Sequence, residues 1–60
     1  MSKAQAFRAA RREVAVTGRP VTVCYGSDGN GRRTYYWFHG TADQATDETG
    51  FVKVIEEIRP

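Results

Sequence analysis

Cys24 and His39 are the side chains of this 60-residue chain best suited to nucleophilic chemistry, and the chain holds one of each type. A thiol becomes a useful nucleophile when an imidazole within hydrogen-bond reach takes its proton. The hairpin register argued below puts both residues on one sheet face but four positions apart. At about 3.3 Å per residue that is roughly 13 Å, too far for proton transfer. No carboxylate adjoins His39 to orient it. The pair reads as a small half-buried thiol and a surface imidazole. One Cys makes no internal disulfide, and one Cys with one His does not complete a tetrahedral zinc site.

Asp28-Gly29-Asn30-Gly31 has the look of a calcium-loop centre. Placing Gly31 on that loop's invariant glycine puts Gly26 at the first ligand position and Trp37 at the last, where carboxylates are required. The segment is therefore a turn. No glycine-rich phosphate cradle of either common pattern is present. Asp43, Asp47, Glu48, Glu56 and Glu57 lie in a polar loop and a tail, and so short a chain builds no cleft to pair them for acid–base work. These exclusions predict a non-enzymatic protein with no cofactor and no metal.

What remains is aromatic and cationic. The stretch from Arg33 to His39 carries Tyr35, Tyr36, Trp37 and Phe38 in succession. Up to Thr34 the chain has seven basic residues against Glu13 and Asp28, a balance of +5; beyond it, Lys53 and Arg59 stand against five carboxylates, a balance of −3. The net +2 is thus a cancellation, and such segregation suggests an oriented contact or a polyanionic partner.

These residues need elements to position them. Residues 2–16 predict a helix with Ser2 as N-cap, good helix formers throughout, and Gly18 and Pro20 as stop signals. Phe7, Ala10, Val14 and Thr17 form its apolar stripe, with Arg8 and Arg12 well away from it. Residues 21–26 alternate as a strand, Ser27 to Gly31 is the strongest turn signal, and Arg33–His39 is a second strand. Residues 40–50 read as a polar loop, with one helical turn begun by Thr41 and Gln44 in capping-box spacing. Residues 51–58 fit either period. Their β-rich composition and the marginal stability of a lone hairpin favour a third strand. The expected architecture is α+β: one domain over residues 1–60, with an N-terminal helix packed on a three-stranded antiparallel β-meander (αβββ). The alternative is αββα with residues 51–58 helical.

Pairing Gly26 with Arg33 closes a six-residue loop and defines two faces. Val21, Val23, Tyr25, Tyr36 and Phe38, extended by Val52 and Val54, would lie under the helix. Thr22, Cys24, Tyr35, Trp37 and His39 would form an uncovered aromatic face. A slip of one residue exchanges the faces. On this reading the protein is a small inhibitor or accessory regulator that docks on a protein partner, with Tyr35 and Trp37 as anchors and His39 and Arg33 at the rim. The alternative is a DNA- or RNA-binding regulator using Arg8, Arg11, Arg12 and Arg32. A homodimer paired through the sheet is the third reading. No apolar run approaches the ~20 residues of a membrane span, and no leader segment is apparent, so a cytoplasmic location is expected.

Overall fold

The computed structural model describes residues 1–27, 30–49 and 52–60. Its elements run α1 (Lys3–Thr17), β1 (Val21–Ser27), β2 (Arg33–His39), α2 (Ala42–Thr49) and β3 (Val52–Ile58). The expected class holds: an N-terminal helix followed by three antiparallel strands in a small open sheet. Of the turn residues, Asp28 and Gly29 lie outside the description, as do Gly50 and Phe51 before β3.

Local chemistry explains α1's ends. The Ser2 hydroxyl accepts from the Gln5 N–H at 3.2 Å, and the Gln5 side chain accepts from the Ser2 N–H at 2.9 Å. This reciprocal cap satisfies two donors that would otherwise lack partners. At the other end Gly18 adopts φ 68°, a left-handed conformation that costs an L side chain energy, and its N–H returns to the Val14 carbonyl at 2.9 Å. Ala6, Ala10 and Val14 form the buried stripe. They meet Val21 and Val23, which are fully buried, with Phe7, Tyr35, Trp37, Ile55 and Ile58 packed around them. Burial of a side chain such as Val21 contributes about 1.5–3 kcal/mol.

The sheet order is β2-β1-β3, so the strands are not a meander. β3 pairs with the far side of β1, and the chain reaches it through α2. The polar segment expected as a loop is thus a two-turn helix. The capping box supposed there is present: Thr41 N–H donates to Gln44 Oε1 at 2.8 Å and Gln44 N–H to Thr41 Oγ1 at 3.4 Å. Residues 52–58 form a strand, which removes the αββα alternative.

The register corrects the expected faces by one residue. Ser27 pairs with Arg33, Tyr25 with Tyr35, Val23 with Trp37 and Val21 with His39. The face under α1 therefore carries Tyr35 and Trp37, not Tyr36 and Phe38. Thr22, Cys24, Tyr36 and Phe38 share the other face, together with Val54 and Glu57 of β3. Val54 is on that far face and does not extend the α1 side as expected; the Val52 side chain is outside the description. A bulge at Ile55 shifts β3 between its pairings with Val23 and Cys24.

α2 covers this second face over β1 and β3. Beneath it Thr22, Cys24 and Ala45 are wholly buried. The Thr22 hydroxyl donates to the Gly40 carbonyl at 2.9 Å, so its burial leaves no unpaired polar atom. The two helices thus cover opposite faces and are offset, α1 over β1 and β2 and α2 over β1 and β3.

Candidate functional site

The offset leaves two areas of sheet open. One is the β2 side of the α2 face, where Tyr36 and Phe38 are half-buried outside the span of α2, Phe38 leaning toward Gly40 and Gln44. The other is the hairpin end of the α1 face, where α1 barely reaches β3.

β2 is also a free edge. In antiparallel strands alternate residues point their backbone groups to the same side. Gly40 N–H donates to Pro20 O at 3.0 Å, toward β1, whereas Tyr35 N–H donates away from the sheet to Met1 O at 3.3 Å. By the same alternation the N–H groups of Trp37 and His39 point outward. Between Thr34 and Phe38 this edge has no charged residue, no proline and no bulge. The opposite edge, β3, carries Lys53, Glu56 and Glu57 and the bulge, features that discourage strand addition.

The residues singled out in the sequence fall as follows. Tyr35 and Trp37 lie at the flank of the α1 core, partly buried, rather than on an uncovered face. Trp37 packs edge-to-face against His39, with ring centroids 4.9 Å apart. His39 is exposed, and its Nε2 lies 3.3 Å from Glu13 Oε1 of α1, so a carboxylate does adjoin it, contrary to the expectation from sequence, because α1 packs back along β2. Arg33 is exposed where β2 begins. These four do not form one patch: Trp37 and His39 meet at one end of β2, and Arg33 and Tyr35 at the other. Cys24 and His39 occupy opposite faces, and burial raises the Cys24 thiol above its ordinary pKa. Reactive thiols are instead exposed and electropositive.

Arg8 and Arg12 stand on the outward face of α1, one turn apart and bordered by Gln5 and Ala9. Arg11 turns aside and lies over the Phe7 ring, 5.5 Å from its centroid, a cation–π contact. Arg32 is exposed in the hairpin connection, away from them along the chain.

Sequence reasoning overlooked Tyr25 and Lys53. Both line an open groove of about 640 Å³ at the hairpin end, with Ser27, Arg33, Tyr35 and Ile55. The Tyr25 and Tyr35 rings touch there, centroids 4.7 Å apart and tilted by 53°. The signal was a cross-strand row, Tyr35–Tyr25–Lys53, which becomes visible only once β3 is placed beside β1. Tyr36 and Phe38 were not expected on the less covered part of the sheet because of the one-residue slip.

Among the described residues no group of three or more metal-ligating side chains occurs, and no helix is long and apolar enough to cross a membrane. Compared with known proteins, the chain matches no family model, no curated protein and no solved structure.

Proposed function

We propose that this protein is a non-enzymatic docking module that captures an extended segment of a protein partner on the outer edge of β2. The observation that carries this reading is the contrast between the two edges. β3 is guarded by charge and a bulge; β2 has neither between Thr34 and Phe38, and Met1 meets its edge at Thr34 and Tyr35, short of Trp37 and His39. Main-chain hydrogen bonds from the outward N–H groups of Trp37 and His39 would supply affinity, and side chains on either face would supply selectivity. Met1 already makes one such bond at Tyr35, which supports the edge as an acceptor of added backbone. Tyr36 and Phe38 would contact the partner on the α2 side, Trp37 and His39 on the α1 side, and Arg33 at the far end. Inhibition or accessory regulation follows from such capture without any chemistry by the module itself. A cytoplasmic setting fits the single free, buried Cys24.

His39→Pro tests the reading. Proline fits an edge strand where the N–H it removes faces outward, and Phe38 before it is already extended. Capture of the partner from native cells should fall about tenfold or more with this variant while the melting temperature stays close to wild type. Equal capture by both forms, or loss only with Arg8→Ala/Arg12→Ala, contradicts the edge as the contact.

A further inference from the structure

The groove at the hairpin end lies on the α1 face, and the β2 edge does not account for it. Its floor is the row Tyr35–Tyr25–Lys53. Arg33 and Lys53 flank the two rings, both exposed, and among the described residues no acidic side chain lines the groove.

A second hollow, of about 570 Å³, runs along α1 and is lined by Lys3, Ala4, Phe7, Arg8 and Arg11. Its position follows from helix geometry. Glu13 reaches His39 of β2, so that flank of α1 faces the β2 edge. At 100° per residue, Phe7 lies about 120° and Arg11 about 160° around the helix from Glu13. The flank carrying them therefore faces β3 and the groove. Two aromatic floors and four cations, Lys3, Arg11, Arg33 and Lys53, thus share one side of the molecule, with Arg8 at the outward rim of the second hollow.

We infer that this side binds single-stranded nucleic acid. The rings of Tyr25 and Tyr35 offer stacking surfaces to unpaired bases, and the cations track the phosphates between them. A duplex keeps its base faces stacked internally, so it gains from the cations but not from the rings. An acidic peptide likewise meets the charge and has nothing to stack. The site shares Arg33 and Tyr35 with β2, but it is centred on Tyr25 and Lys53, off the edge. It stands or falls independently of the proposed protein docking.

The test is fluorescence anisotropy of the full chain with a labelled oligothymidylate of about a dozen nucleotides. Binding should weaken with salt, with a log–log slope of about −0.7 per phosphate contacted. Tyr25→Leu, which keeps apolar bulk but removes the ring, should weaken binding about tenfold. Lys53→Gln, at an exposed position that folding tolerates, should weaken it severalfold and flatten the salt slope by about 0.7. His39→Pro should change nothing, which separates this site from the β2 edge. Three results overturn the inference: no binding at low salt, equal binding by wild type and both groove variants, or equal affinity for an oligoglutamate of matching charge.

Discussion

Glu57 shows how one side chain joins two elements. Its carboxylate accepts from the Ala42 N–H at 2.8 Å, at the first turn of α2, and also meets Arg59. The hydrogen bond from Ala42 and then the Arg59 interaction hold its carboxyl below the usual glutamate range. A carboxyl whose pKa is lowered by folding adds stability above its unfolded value, about 4.3, and loses it as pH falls through the folded value. The melting temperature should therefore drop between about pH 5 and pH 3. Glu57→Gln keeps an acceptor for Ala42 without a titrating charge, so its profile should be flatter over that range. Parallel profiles would remove Glu57 from the account. Gly40 has φ 139°, and an added Cβ there would lie 2.9 Å from Phe38 Cε1 and against the Gln44 side chain. Gly40→Ala should cost about 1–3 kcal/mol in chemical denaturation. Cys24, fully buried with a raised pKa, should stay unlabelled by a disulfide reagent in the native protein and react only on unfolding.

At the scale of elements, the helix–sheet spacing depends on alanines. Ala6 and Ala10 have no exposed surface where α1 lies on Val21 and Val23. Ala10→Leu should destabilise the fold by about 1–3 kcal/mol by overpacking this seam, read from the denaturation midpoint. An unchanged midpoint would mean that α1 can slide away from the sheet. α1 was legible in the sequence down to its caps, because Ser2, Gln5 and Gly18 act locally. So were β1 and β2, and β3 once the weakness of a lone hairpin was weighed. α2 was legible only at its first turn: Thr41 and Gln44 signal a start, but Ala45 gives little apolar periodicity to extend it. The hairpin register was not legible. Asp28 to Arg32 bridge Ser27 and Arg33 as a five-residue connection, and the aromatic run in β2 is apolar on both faces, so hydrophobic pattern alone could not choose between adjacent registers. The strand order escaped for a related reason. Strand composition says that β3 joins the sheet but not which edge of β1 it takes.

For the whole molecule, the offset of the two helices is the organising fact. Each mainly covers the central strand and one neighbour, so the three-stranded sheet keeps one outer strand largely open on each face. The charge segregation seen along the chain becomes spatial. Lys3, Arg11, Arg33 and Lys53 line the hollows on one side, and the Glu57 carboxylate, on the other face, is held by the Ala42 N–H and Arg59. Lys53 comes from the acidic half of the sequence but sits in the groove with Arg33, while Glu56, opposite Val23, shares its face of β3. The two proposed contacts use different chemistry, backbone pairing at the β2 edge and stacking with charge in the groove, and each has its own variants.

The central claim is that β2 presents an open edge, and amide hydrogen exchange of the free protein tests it most directly. Even-numbered residues of β2, such as Tyr36 and Phe38, pair with β1 and should exchange slowly, while Trp37 and His39 should exchange at least about tenfold faster. Partner binding should then protect Trp37 and His39. Protection of Trp37 and His39 equal to that of Tyr36 and Phe38 in the free protein would contradict the account, because it would mean that this part of the edge is already occupied.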